Sequence, residues 1–268
     1  MLPLLCTAAT WAVLENTVLL RVQEYRVPLK GLPRTVVISD LHKRRFGKHN
    51  ERLIRTVSAQ KPALILITGD LISRTVTDLT ETELLLRALQ KIAPVLAATG
   101  NHESDLPPSI YAELRKTAAR CGVTLLENQT VRIGDLHFAG LHLTPEYYRG
   151  GGLLGFSGKR DCTPQTLTAL LGKCRPQTVL LAHNPLWFPA YAEWGAALTL
   201  SGHVHGGVIR LPFFGGLLSP ERTFFPPYDK GMFRIGTHRM IVSGGLGKLR
   251  LGNPPEILVI RSAGNFKA

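Results

Sequence analysis

Short runs of consecutive apolar residues recur along the chain at 35–39, 64–68, 95–98, 178–182 and 197–200. Each has the length of a strand buried on both faces. Between them the apolar spacing turns helical. Leu53, Ile54 and Val57 share one face of 51–60, and 80–92, 109–121 and 163–171 read as further helices. Local end signals agree. Thr80 and Glu83 have the capping-box spacing, Gly122 follows the third helix as a C-terminal stop, and Thr163-Pro164 supplies a cap and a first-turn proline. Strand–helix alternation predicts an α/β layered fold. Towards the C-terminus the helices stop, and 208–211, 231–235, 239–243 and 256–261 read as strands in hairpins, so a mixed sheet arrangement is expected.

No internal repeat or Ser/Gly linker divides the chain, which reads as one domain, 24–268, after an N-terminal extension, 1–23. Met1 to Leu14 is mostly apolar, but Glu15 and Asn16 interrupt the run. It falls short of the roughly 20 residues that span a bilayer, and it lacks the basic start and cleavage site of a signal peptide. Two readings stand: a buried or fraying helix, or a membrane-surface anchor or shortened span. Localisation is accordingly membrane-associated or cytoplasmic.

Composition narrows the classes. With 268 residues and 44% hydrophobic content the chain can bury a substantial core, and disorder, collagen and coiled coil are excluded. A net charge of +13 suits an anionic partner: a phosphate ester, nucleic acid or an anionic membrane. Cys6, Cys121, Cys162 and Cys174 are far apart, which suggests neither a disulfide framework nor a zinc–thiolate site.

The candidate chemistry sits at the carboxyl end of each apolar run. Val36-Val37-Ile38-Ser39 leads to Asp40-Leu41-His42, Leu64-Ile65-Leu66-Ile67-Thr68 to Gly69-Asp70, and Val95-Leu96-Ala97-Ala98-Thr99 to Gly100-Asn101-His102-Glu103. Val179-Leu180-Leu181-Ala182 leads to His183-Asn184, and Leu198-Thr199-Leu200-Ser201 to Gly202-His203-Val204-His205-Gly206-Gly207. Strands ending in side chains able to bind a metal are expected to converge, because sites in α/β sheets form at the carboxyl ends of strands. Two Asp, one Asn and four His offer oxygen and nitrogen donors without thiolate, which suits Mn, Fe, Co, Ni or Zn. Seven ligands exceed one tetrahedral ion and suit two divalent ions sharing a carboxylate.

These motifs resemble those of calcineurin-like metallophosphoesterases, and more narrowly the YkuE-like phosphodiesterase branch. The resemblance runs from about Val27 to Ile260 and includes Gly244-Gly245-Leu246-Gly247 and Asn253-Pro254-Pro255-Glu256-Ile257. It implies a two-sheet β-sandwich flanked by helices, a four-layer αββα arrangement. It also implies that Asp40, His42 and His205 bind one metal, that Asp70 bridges, and that Asn101, His183 and His203 bind the second. His102 would face the substrate, protonating the leaving oxygen or stabilising phosphoryl charge, with Glu103 orienting it. Val204 stands where branch members often carry Thr, and His142 in Gly140-Leu141-His142-Leu143-Thr144 stands where an acidic residue is expected; the second departure bears on the substrate-side loop.

Other features carry blander expectations. Asp135-Leu136-His137 repeats the D-x-H spacing but begins an alternating strand and reads as structural. His49, His142 and His238 are expected to be solvated. Lys43, Arg44, Arg45 and Lys48 are either a solvated loop or a lip that contacts phosphate or membrane. Phe213, Phe214, Phe224, Phe225 and Tyr228 crowd the stretch after the last metal motif, as a covered loop or a lipid-facing lip.

The expected activity is metal-dependent hydrolysis of a phosphodiester, pyrophosphate or phospholipid-like ester, UDP-2,3-diacylglucosamine-type substrates included, by a metal-bridging hydroxide. A catalytically silent metal-binding module of the same fold and a nuclease are the alternatives, nucleic acid being the less favoured partner because the basic run lacks interleaved aromatics.

Overall fold

The computed structural model describes residues 19–149, 160–207, 210–211, 215–217, 225–248 and 252–263. Most of the N-terminal extension, and Phe213, Phe214 and Phe224 of the aromatic stretch, lie outside the described residues.

Two six-stranded mixed sheets form the centre. The first is built from β1 (Arg21–Val27), β2 (Thr35–Ile38), β3 (Leu64–Thr68), β4 (Val95–Ala98), β5 (Thr124–Leu125) and β14 (Glu256–Ser262), in the order β1-β14-β2-β3-β4-β5. The second is built from β6 (Gln129–Ile133), β7 (Leu136–Leu141), β8 (Thr178–Ala182), β9 (Leu198–Ser201), β12 (Gly231–Ile235) and β13 (His238–Val242), in the order β12-β13-β9-β8-β7-β6. A small hairpin, β10 (Arg210–Leu211) with β11 (Gly215–Gly216), stands apart. β2, β3, β4 and β5 run parallel, as do β7, β8, β9 and β13.

The period-2 geometry of a strand explains the layers. Val37, Leu64, Leu66 and Leu258 point from the first sheet into the space between the sheets, where they meet Phe138, Val179, Leu181, Leu198 and Leu200. Their neighbours Val36, Ile38, Ile65 and Ile67 point the other way, onto α1 (Glu51–Ala59), α2 (Thr80–Gln90) and α4 (Pro108–Arg120). The outer face of the second sheet, with Leu141, Leu180 and Val242, is covered by α5 (Pro164–Leu171) and α6 (Phe188–Trp194). The result is the four-layer αββα sandwich, and the continuous apolar runs reflect burial on both faces.

Several local expectations change. The first strand begins at Arg21, inside the segment assigned to the extension, and pairs in parallel with β14. Helix α2 opens without the expected capping box: Asp78 accepts from the Thr80 amide at 2.9 Å and from its hydroxyl at 2.6 Å, while Glu83 pairs with Arg87 and Arg120. His142 and His238 are half-buried rather than solvated. His142 Nδ1 meets Thr99 Oγ1 at 2.7 Å, and His238 Nδ1 meets the Ala196 carbonyl at 2.8 Å. Asp135-Leu136-His137 is structural, since Leu136 and Phe138 both enter the inter-sheet core.

Phe138 is fully buried between the sheets. Phe138→Ala should cost about 3–5 kcal/mol, whereas Ile133→Ala on the exposed edge should stay within about 0.5 kcal/mol. Urea unfolding midpoints read both, and equal small shifts would show that the second sheet does not pack as described.

Candidate metal centre

Five parallel strands deliver their carboxyl ends to one rim of the sandwich. Asp40 and His42 follow β2, Asp70 follows β3, and Asn101 and His102 open α3 (Asn101–Ser104) after β4. His183 follows β8, and His203 and His205 follow β9. Backbone bonds knit the turns across the rim: Asp40 N donates to Gly69 O, His42 N to Asp70 O, and Gly202 N to His183 O. His203 N donates to Asp40 Oδ1 at 2.9 Å, and His102 N to Asp70 Oδ1 at 2.8 Å.

The turns are conformationally demanding. Asp40, His42, Asp70, His203 and His205 all have left-handed φ, between 51° and 70°. Such backbone costs non-glycine residues free energy, and clusters where a fixed side-chain direction is needed. Glycines make room: a Cβ at Gly202 would overlap Ser39 Oγ and Asp40 Oδ2, and one at Gly100 would overlap Asp70 Oδ1.

The seven residues anticipated from sequence as candidate ligands come together here. Asp40, His42 and His205 present donor atoms within 4.8 Å of one another, as do Asp70, His183 and His203. His42 Nε2 lies 3.2 Å from His205 Nε2 and 3.8 Å from Asp70 Oδ2. His205 Nε2 is 3.4 Å from Asp40 Oδ1, and His183 Nε2 is 3.2 Å from Asp70 Oδ2 and 3.8 Å from Asp40 Oδ1. The Asn101 amide is 2.9 Å from His203 Nδ1 and 3.2 Å from both Asp70 Oδ2 and His183 Nε2. A third group, His42, Asp70 and His102, is equally compact.

This donor set fits cations. His183 Nδ1 sits 2.8 Å from the Thr68 carbonyl, so Nδ1 carries a proton and Nε2 faces two buried carboxylates, where a neutral ring would present its lone pair. Lone pairs and carboxylates this close repel unless positive charge lies between them. Burial alone would lower the His183 pKa, yet Asp70, its hydrogen bond and Asp40 raise it to about 10. Burial likewise opposes ionisation of Asp40 and Asp70, and the surrounding imidazoles outweigh it, holding both carboxyls well below the usual range. A divalent cation would supply at this point the charge that protonated imidazole otherwise provides.

His102 stands beside the cluster, its ring 4.3 Å from that of His42. Its Nδ1 accepts from the Arg74 amide at 3.2 Å, which places the proton of the neutral ring on Nε2. Burial lowers its pKa to about 4. With Nδ1 engaged, the neutral ring offers Nε2–H as a hydrogen-bond donor.

Glu103 does not orient His102. Its buried carboxylate accepts from the backbone amides of Gly100 at 2.7 Å, Asp70 at 2.8 Å and Ile72 at 3.1 Å. Burial and the Asp70 charge raise its pKa to about 7. Glu103 thus ties the Asp70 turn to the Asn101 turn. Below His205, Asn253 Nδ2 donates to the His205 and Gly207 carbonyls, and Lys230 Nζ bridges Asn253 Oδ1 at 3.2 Å and Glu256 Oε2 at 2.6 Å.

Arg44 is buried, donating to Gly247 O at 2.7 Å and covering the Phe46 ring. Exposed Lys43 and Arg45, in contrast, line a cavity of about 380 Å³ that touches His42. A second cavity, of about 220 Å³, opens on Asp70, His102, His203 and His205 and is walled by Arg74, Tyr148 and Arg149. Sequence reading missed Arg74, Arg149, Lys230 and the role of Asn253. Arg74 follows Asp70 by four residues, which was a usable signal; Arg149 belongs to no recognisable motif.

Comparisons with known proteins identify the family. The family model described as calcineurin-like phosphoesterase matches residues 33–207. The chain is 30% identical over 210 residues to the uncharacterized metallophosphoesterase YkuE of Bacillus subtilis, covering 74% of this chain and 66% of that one. It is 28% identical over 239 residues to the phosphodiesterase YaeI of Escherichia coli, covering 83% and 79%. Among solved structures, TT1561 of Thermus thermophilus superposes with a TM-score of 0.50 at 12% identity, over 80% of this chain and 90% of that one, a likeness of fold.

Glu103→Ala removes the acceptor of three buried amides, each costing about 1–3 kcal/mol when left unpaired. Glu103→Gln keeps a side-chain acceptor and should recover part of the loss. Urea unfolding of chelator-treated protein compares them; equal stability of Glu103→Ala and the parent chain would refute the tie between the turns.

Proposed function

This chain belongs to the calcineurin-like phosphoesterase family, and from that premise we propose that it hydrolyses phosphodiesters, using two divalent cations held at the strand-end rim. The observation that carries the reading is the convergence of Asp40, His42, Asp70, Asn101, His183, His203 and His205. Asp40, His42 and His205 would hold one ion, Asn101, His183 and His203 the other, and Asp70 would contribute to both. Such a pair, when bound, lowers the pKa of water to about 7 and neutralises charge on a phosphoryl group.

The chain's own residues do the rest. His183 is fixed by the Thr68 carbonyl, so its Nε2 points inward. Asp70 is fixed by the His102 amide and, through its own amide, by Glu103. His102 presents Nε2–H at the cavity and donates to a phosphoryl or leaving oxygen. Arg74 and Arg149 add positive charge to the wall on which the phosphate rests.

A substrate near an anionic surface suits the exterior. Net charge is +13, and Phe225 is 55% exposed. Asp229 binds Arg210 at 2.6 Å and the Gly216 amide at 2.7 Å, and Arg210 also reaches Gly206 O, so the small hairpin is anchored to the metal loop. Among the described residues no helix is long and apolar enough to cross a membrane; surface attachment is the mode we propose.

Turnover of bis-p-nitrophenyl phosphate should require Mn²⁺ or another first-row ion and stop on chelation. Asp70→Asn and His183→Ala should lose bound metal. His102→Ala should keep its metal and lose about 10²–10³ in kcat, the usual cost of one oxyanion donor. Absence of turnover with every divalent ion would leave a silent module; metal loss from His102→Ala would make His102 a ligand. Sedimentation with phosphatidylglycerol vesicles, weakening with salt, checks surface attachment, which an absence of sedimentation at low salt would remove.

A further inference from the structure

The buried side-chain amide of Asn101 stands between two unlike surroundings. Inward it meets the rim, with His203 Nδ1 at 2.9 Å and both Asp70 Oδ2 and His183 Nε2 at 3.2 Å. Outward it meets the Arg74 guanidinium, whose Nη2 lies at 3.0 Å. The two ends of an amide are chemically opposite: the oxygen accepts and the NH₂ group donates. With its oxygen inward, the amide sets an acceptor against the Asp70 carboxylate and a donor against the guanidinium, and both contacts are mismatched. Turned over, its nitrogen donates into the rim and its oxygen accepts from Arg74 Nη2.

A cation at the rim reverses that balance, because the oxygen is the one atom of the side chain that a divalent ion can use. The same oxygen therefore has a claimant on each side. Arg74 also has a second partner. Asp105 ends the short helix that carries Asn101, has no part in holding metal, and exposes only 2% of its side chain. Its Oδ1 accepts from Arg149, whereas its Oδ2 lies 2.9 Å from Arg74 Nη1 without an aligned hydrogen bond. A buried carboxylate oxygen in that position is costly. Arg74 is thus drawn out between Asn101 and Asp105. Its side chain is 38% exposed, which leaves the guanidinium room to leave the amide and close squarely on Asp105.

We propose that Arg74 is a positioning residue that competes with a divalent cation for the Asn101 side-chain oxygen, the amide turning over as the cation binds and Asp105 taking up the displaced guanidinium. The inference rests on the assignment of Asn101 as a ligand in the reading above and goes beyond it. The chain carries its own competitor for one of its ligands, so the ion at Asn101 is held more weakly than its donors alone would hold it. The competitor cannot drift away, because the Arg74 backbone amide is fixed on His102 Nδ1 at 3.2 Å. Arg149 walls the same cavity and shares Asp105 but makes no contact with the Asn101 amide among the described interactions, so it carries the same charge without the competition.

Titration of the chelator-treated full chain with Mn²⁺, with free Mn²⁺ read by electron paramagnetic resonance, gives the affinities without turnover. Asn101→Ala should weaken one bound ion, which identifies the ion concerned. Arg74→Ala should tighten that same ion by about tenfold, the scale of one hydrogen bond from a charged donor. A merely structural role for Arg74 would move the affinity the other way. Arg149→Ala, which removes an equal charge from the same wall, should tighten it less. In the Asn101→Ala background the gain from Arg74→Ala should shrink to that of Arg149→Ala, because no oxygen is left to compete for. Unchanged or weaker binding in Arg74→Ala, equal gains from the two arginines, or a full gain that persists without Asn101 would overturn the proposal and leave the metal reading standing. Unchanged binding in Asn101→Ala would overturn the ligand assignment and the proposal with it.

Discussion

Two carboxylates buried side by side set the terms for this protein. Asp40 and Asp70 are almost wholly removed from water, and an isolated buried carboxylate is costly enough that it normally takes up a proton. Here both stay ionised because imidazoles surround them. The arrangement is stable as a whole and unstable in parts: remove the positive partners and the carboxylates become liabilities. A rim with that property selects for cations by its electrostatics before any preference of coordination geometry enters.

Holding such a rim requires rigidity from elsewhere. The turns carry left-handed backbone at five of the candidate ligands, and backbone of this kind persists only where surroundings over-determine it. The surroundings are identifiable. Glu103 binds amides from two turns, Asn253 binds the His205 carbonyl, and Lys230 and Glu256 fix Asn253 from below. Leu246 N bonds Ser39 O, which links the C-terminal loop to the first ligand turn. The continuous apolar strands below supply the stiff base, so precision at the rim is transmitted from packing between the two sheets.

Legibility in the sequence followed burial. β3, β4 and β8 match the anticipated spans because their apolar runs end where the strands end; β12 matches too, although none of its residues is buried. The seven candidate ligands were legible because each lies within a few residues of the end of such a run, and strand direction brings them together. β1 was not legible: of Arg21–Val27 only Val27 is buried, and its pairing with β14 joins opposite ends of the chain, which no local pattern encodes. Thr80 misled because Asp78, two residues earlier, competes as the oxygen acceptor. The arginine pair and the Lys230–Asn253–Glu256 support escaped because they depend on contacts between loops, where neither period 2 nor period 3.6 leaves a trace. Glu103 was found but given the wrong partner, since adjacency in sequence to His102 says nothing of the direction in which a side chain on a single helical turn points.

The rim is also asymmetric, and the asymmetry decides how a substrate arrives. His183 is sealed, with no exposed side-chain surface, whereas His42, His102 and His205 retain 15%, 21% and 18%. One flank is therefore closed by protein, and the other faces both cavities. An anion entering from the open flank meets His102 and the arginines before it meets Asp40 or Asp70, so attraction precedes repulsion along the path. The sealed flank has a complementary use. With no water to compete, the Thr68 carbonyl holds the His183 ring and keeps Nε2 aimed at Asp70. Fixed donors on one side and an exposed, positively charged approach on the other are the two conditions that electrostatic preorganisation requires.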